Sequence, residues 1–159
     1  MVEQEFKIDL DVARRFAMSI PHVVELGIVA IEASAGEGVM MMPYRQDLVG
    51  NPETGVLHGG VITTLIDTVC GFAVFCGLGE IKPIATLDLR IDYLKPATPG
   101  LDLYAYAHCY KSTRNIAFAR AVAYHEDRED PIANTAATFM IGTAGPVFVP
   151  KNNSDEAKA

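Results

Sequence analysis

The sequence predicts an α+β domain in which an antiparallel β-sheet wraps around one long central α-helix, and three observations carry that expectation. Residues His58 to Gly77 are the only stretch long enough for a substantial helix, and their apolar side chains cover most of its circumference, so the helix must be enclosed. Four strand-like runs follow it and two precede it, each alternating in polarity or rich in β-branched and aromatic residues. No helical stretch separates consecutive strands after residue 84, which excludes the alternation that builds a parallel sheet. A bent sheet closing on an all-round apolar helix covers both hydrophobic surfaces at once.

Each element has its own signal. Asp11 is a suitable N-cap for Val12, Phe16 and Ala17 in helical spacing, and Pro21 stops the pattern, giving a short leading helix over 11–19. Strands are expected over 23–34 and 38–44, with Ala35-Gly36-Glu37-Gly38 permitting a tight reversal between them. Residues 45–57 carry Gly50, Asn51-Pro52 and Gly55 without periodicity and read as a surface loop leading into the helix. Beyond the helix, strands are expected over 84–94, 101–112, 116–125 and 132–141. Pro96, Pro99-Gly100, Thr113-Arg114-Asn115 and Glu129-Asp130-Pro131 punctuate them, and the short connections suit an antiparallel meander. One core accommodates a chain of 159 residues, so 1–150 are read as a single domain and 151–159 as a polar, frayed tail.

Composition narrows the class of function. Half the residues are apolar and 21% charged, as in ordinary globular proteins. A net charge of −7 disfavours nucleic acid as a partner, because phosphates need a basic surface. Glu3, Glu5, Lys7, Asp9 and Asp11 interrupt the N-terminus too often for a signal peptide, and Thr63, Thr64, Asp67 and Thr68 make 61–78 a buried helix rather than a membrane span. Cys70, Cys76 and Cys109 match neither a disulfide framework nor a zinc site. The expectation is a cytoplasmic protein with no nucleic-acid, membrane or metal partner.

The chemical anomaly is Asp67, flanked by Leu65, Ile66, Val69 and Cys70 inside the most enclosed element. A buried, unpaired carboxylate costs several kcal/mol or more, so it must have hydrogen-bonding partners, border a cavity or bind a proton. Residues three or four apart share a helix face, so Asp67 lies in a strip of small and polar side chains with Thr63, Thr64, Cys70 and Gly71. Thr64, Thr68 and Gly71 are expected to meet a substrate there. At the helix start, His58-Gly59-Gly60 presents amides without intrahelical acceptors at the positive end of the dipole, where an oxyanion could bind; a glycine-rich turn capped by His58 is the plainer reading. Asn51 is either a turn initiator or a positioning amide, and Thr86 either an ordinary strand threonine or a water-orienting hydroxyl. Strand alternation puts Thr86 on one face with Asp88, Arg90 and Asp92, opposite Leu87, Leu89, Ile91 and Tyr93. Lys111, Arg114 and Arg120 cluster near a hairpin, and Arg114 could meet the phosphates of a nucleotide-bearing substrate.

The string Asn51-Pro-Glu-Thr-Gly-Val-Leu-His-Gly-Gly60, continuing to Leu65-Ile-Asp67, resembles the hotdog-fold thioesterases of the phenylacetate-degradation (PaaI-like) type. Ala85 to Ala97 looks like that family's following strand, Arg114 to Ala119 like its next hairpin, and the resemblance spans roughly Val24 to Ile141. The loop from Asn51 to His58 is one residue longer than in some relatives. The resemblance implies a hotdog fold, with Asp67 as general base or nucleophile and Gly59, with Gly60 adjoining, as backbone donor to the thioester oxygen. His58 and Asn51 would position the thioester, and Thr86 would hold the attacking water. It also implies a homodimer with shared sites, two dimers pairing into a tetramer.

The implied reaction is hydrolysis of an acyl-CoA or aryl-acyl-CoA to a carboxylate and free CoA. Thiolate leaves readily, so positioning, one carboxylate and an oxyanion donor suffice without metal or cofactor. Two alternatives stay open: a hydratase or dehydratase acting on acyl thioesters, and a non-catalytic acyl-CoA-binding module.

Overall fold

The computed structural model describes residues 9–144, so the tail expected over 151–159 lies outside the described residues. In chain order the elements are α1 (Leu10–Met18), α2 (Pro21–Glu25), β1 (Val29–Ser34), β2 (Glu37–Met42), β3 (Val49–Asn51), β4 (Val56–Leu57), α3 (Gly59–Leu78), β5 (Ile84–Tyr93), β6 (Leu103–Ser112), β7 (Ile116–Tyr124) and β8 (Ala133–Ile141). The N-cap of α1 is Asp9, whose carboxylate accepts from the Val12 N–H at 2.9 Å; Asp11, expected in that role, sits in the first turn, where its charge suits the dipole. Pro21 does more than end α1. It opens α2 at a position where its missing N–H costs nothing, so the strand expected over 23–34 begins only at Val29.

The main sheet runs β1-β2-β6-β7-β8-β5, antiparallel throughout, while β3 and β4 form a small separate ladder within the loop before α3. The expected four-strand meander is therefore corrected. Strands β6, β7 and β8 follow one another, but β5 pairs with β8 at the far edge and β6 inserts beside β2. Polarity patterns mark strands without naming their partners.

Helix α3 is long and apolar enough to cross a bilayer, yet it packs against the sheet, chiefly on β2, β6 and β7. The inner face there is built from alanines, among them Ala105, Ala107, Ala117, Ala119, Ala123 and Ala133, all fully buried. Small residues on the sheet leave space for the large ones on the helix, and Leu65, Ile66, Val69 and Phe75 fill it. Each such side chain contributes about 1.5–3 kcal/mol through burial. At the helix's far end, Gly77 meets the β1–β2 turn so closely that an added Cβ would lie 3.1 Å from the Gly36 Cα, and Gly36 itself has φ +79. A side chain at Gly77 would press the helix away from that turn, and one at Gly36 would strain the backbone.

Candidate active site

Asp67 stands midway along α3, half-buried with Thr63, Thr64, Thr68 and Gly71, and all five line one cavity of about 470 Å³. The hydroxyl that satisfies it comes from the sheet: Thr86 Oγ1 donates to Asp67 Oδ1 at 2.9 Å. The helix threonines donate backward along their own helix instead, Thr63 to the Gly59 carbonyl at 3.1 Å, Thr64 to Gly60 at 3.0 Å and Thr68 to Thr64 at 2.6 Å. Among the described residues no cation pairs with Asp67. A carboxylate accepts about four hydrogen bonds, so Asp67 keeps most of its acceptor capacity for whatever enters the cavity.

Thr86 reaches Asp67 because β5 is not an unbroken strand. A β-bulge between Thr86, opposite Phe139, and Asp88, opposite Thr138, inserts Leu87 and reverses the alternation beyond it. The expected grouping of Thr86 with Asp88, Arg90 and Asp92 is thereby corrected. Thr86 shares the helix-facing side with Ile84, Leu89 and Tyr93: Ile84 and Leu89 line the Asp67 cavity, and Tyr93 bonds to the helix start.

At that start, His58 is the N-cap, and its Nδ1 accepts from the Gly60 N–H at 2.9 Å. The ring therefore carries its proton on Nε2, which points the donor away from the turn. Gly60's amide is thus occupied, whereas Gly59's, the first of the helix, has no acceptor among the described residues. The Tyr93 phenol donates to the Gly59 carbonyl at 2.8 Å and lies 2.7 Å from Thr63 Oγ1, pinning the turn from the sheet side. His58 N–H donates to the Leu48 carbonyl at 3.0 Å, which fastens the preceding loop to the same point. The result is a single open amide backed by the positive end of a long helix.

Within one chain the predicted site residues fall into separate groups. Asp67, Thr64, Thr68, Gly71 and Thr86 come together around the cavity, whereas His58, Gly59 and Gly60 are absent from its lining. Gly59 and Asp67 share a helix, and at ~1.5 Å per residue they stand about 12 Å apart along its axis. Asn51 is exposed, its Oδ1 accepting from the Glu53 N–H at 3.0 Å, an Asx turn that fits the turn-initiator reading. Arg114 is exposed in the β6–β7 turn and is absent from the cavity lining. Sequence reasoning missed Tyr93, which it placed on the apolar face without a role, and the α1–α2 residues Phe16, Ile20 and Val23, which line the same cavity as Asp67. The only available signal for these three was their apolar, helical spacing.

The cysteines do not provide a nucleophile. Burial, and then the charge of Asp67, pushes the Cys70 thiol far above its ordinary range. Burial lifts Cys76 to about 12 and also raises Cys109. All three are free thiols held protonated at neutral pH.

Comparison with known proteins places this geometry. The family described as the thioesterase superfamily matches residues 54–132, which include the helix start, Asp67 and Thr86. A candidate esterase of Halobacterium salinarum is 43% identical over 81 residues, covering 48% of this chain and 52% of that protein, so the chain spans about half of that relative's length. The medium/long-chain acyl-CoA thioesterase YigI of Escherichia coli is 30% identical over 108 residues, 60% of this chain and 68% of YigI. Among solved structures, a Pseudomonas aeruginosa protein is 45% identical with a TM-score of 0.75, covering 82% of this chain and 97% of that one. The phenylacetic acid degradation protein PaaI of Thermus thermophilus is 25% identical with a TM-score of 0.67, covering 76% of this chain and 98% of PaaI. With its six-stranded antiparallel sheet packed on a long central helix, the chain belongs to the thioesterase superfamily and has the hotdog fold of its PaaI-like members.

Proposed function

We propose that the protein hydrolyses acyl-CoA thioesters to a carboxylic acid and free CoA in a site shared by two copies of the chain. Asp67 of one copy acts as general base or nucleophile, and the open Gly59 amide of the other polarises the thioester carbonyl. The observation that carries this reading is the separation of the two groups. A reacting carbon sits about 3–3.5 Å from the attacking atom, and its oxygen about 3 Å from the donor. A gap of about 12 Å along one helix is too long for a single carbonyl to span. Two antiparallel helices lying side by side close it, each supplying what the other lacks.

The sheet supports such a pairing. Strand β5 bonds to β8 on one side, its other edge is unpaired among the described residues, and Leu87, Tyr93 and Leu94 are each at least half exposed beside it. A second β5 would satisfy that edge and bury those side chains. Tyr110 and Met140, exposed on the sheet's outer face, favour two such dimers associating back to back.

In the reaction, Asp67 takes a proton from water as the water oxygen attacks the carbonyl carbon, or its own oxygen attacks to give a mixed anhydride that water then opens. Negative charge collects on the carbonyl oxygen beside the Gly59 N–H. The C–S bond then breaks, and the thiolate leaves as CoA after gaining a proton. Thr86 fixes the carboxylate's orientation, His58 and Gly60 hold the turn, and Asn51 shapes the loop ahead of it. Arg114, exposed and cationic, is suited to CoA phosphates. The name of the E. coli relative favours medium and long acyl chains over aromatic acyl groups. Three free thiols suit the cytoplasm as the place of action. Asp67→Asn is expected to lower turnover of a good acyl-CoA by about 10²–10⁴-fold with an unchanged fold. Near-normal thiol release by that variant would overturn the assignment.

A further inference from the structure

The cavity beside Asp67 is walled from three sides. One is the strip of α3 with its threonines and carboxylate; a second is supplied by α1, α2 and the turn between them, through Phe16, Ala17, Ile20, His22 and Val23; the sheet closes the third. Val23 and Ala17 are buried, and the Phe16 ring lies flat on Phe75, with centroids 4.0 Å apart and planes 8° from parallel. Phe75 is itself fully buried in the α3 core, so Phe16 is braced against a part of the molecule that does not yield. This second wall lies outside residues 54–132, on which the match to the family rests.

We propose that Phe16 is the residue that sets the acyl-chain length this protein accepts, the α1–α2 segment serving as the end wall of the acyl cavity. The proposal rests on reading the Asp67 cavity as the thioester site. A cavity of about 470 Å³ lies within the range of small-molecule sites and has room for an acyl chain beside the thioester. Longer chains meet the stacked Phe16–Phe75 pair, which cannot turn aside without unstacking. Shorter chains leave apolar wall uncovered, and each missing methylene costs about fourfold in kcat/KM.

The test is a chain-length profile. kcat/KM is measured for straight-chain acyl-CoAs of about four to sixteen carbons with the full chain and with Phe16→Ala, Phe16→Leu and Phe16→Trp. Removing the ring leaves a void at that wall. The optimum therefore moves to longer chains in Phe16→Ala, part of the way in Phe16→Leu, and to shorter chains in Phe16→Trp. Phe16→Leu keeps the wall apolar if Phe16→Ala does not fold. A profile of unchanged shape in the folded variants, or a loss equal at every length, would show Phe16 to be structural packing and overturn the proposal. Binding of non-hydrolysable acyl-CoA thioethers of the same lengths separates this from the function itself. If no acyl-CoA is hydrolysed yet thioether affinity shifts with Phe16 as described, the end wall stands and the hydrolytic reading falls. If hydrolysis is normal and neither profile shifts, only the end wall falls.

Discussion

Replacing Gly59 by proline removes the amide hydrogen and puts the ring's Cδ in its place. Gly59 is the first residue of α3, where proline's fixed φ suits the helix and no intrahelical bond is lost. The residue before it, His58, has φ −63 and ψ 135, an extended conformation that a following proline favours. A Cβ at position 59 would find its nearest neighbour, the Tyr93 hydroxyl oxygen, at 3.4 Å, the edge of ordinary contact. Loss of a single oxyanion donor costs about 2.7–4 kcal/mol in the transition state, about 10²–10³ in kcat. Gly59→Ala is the control, because it adds the same Cβ and keeps the N–H. Thiol release from a medium-chain acyl-CoA, read with a chromogenic thiol reagent, gives kcat for both, and thermal unfolding shows whether α3 is intact. The account predicts a large loss in Gly59→Pro and a small one in Gly59→Ala, with melting temperatures close to that of the parent. Equal losses in the two would mean that bulk near Tyr93, not the amide, is what matters, and an active proline variant would remove Gly59 from the chemistry.

Thr86→Val deletes the protein donor to Asp67 while keeping the shape of the side chain; a hydrogen bond to a charged group contributes about 1.5–3 kcal/mol, so kcat should fall about tenfold to a hundredfold, chiefly through misplacement of the carboxylate, and an unchanged kcat would make the 2.9 Å contact incidental. Cys70 and Cys76, held protonated by burial, should resist alkylation at pH 8 in the folded protein, and activity should survive the reagent. Because the unfolded chain loses its thiol protons near pH 9 while folded Cys76 keeps its own up to about 12, stability is intact below that window and falls as pH rises through it. Peptide mapping of the alkylated protein and melting curves across alkaline pH check both statements.

The sequence showed the helix and the carboxylate more readily than their surroundings, for identifiable reasons. An uninterrupted apolar run with one acid in it can be read from residue types alone, as can the glycines that open it. Partner choice in the sheet depends on contacts between distant residues, and nothing in residues 84–141 says that β5 crosses to the far edge. The bulge at Leu87 is invisible to a period-two reading, because its sign is a side chain exposed where alternation places it inward. It decides which residues reach the site, because it sets Thr86 on the face that holds Leu89 and Tyr93 and so brings it to Asp67. Likewise Phe16 is legible as the apolar face of a short helix, but that this face closes the Asp67 cavity follows only from where α1 docks.

The shared site is the claim on which the chemistry turns, and subunit mixing tests it most directly. Asp67→Asn and Gly59→Pro chains, each nearly inactive alone, are unfolded together, refolded in equal amounts and assayed for thiol release. A mixed dimer holds one site in which both the carboxylate and the amide are intact, so random pairing restores about a quarter of parental activity. If each chain carries its own complete site, every site in the mixture keeps a defect, and activity stays at the sum of the two inactive parents.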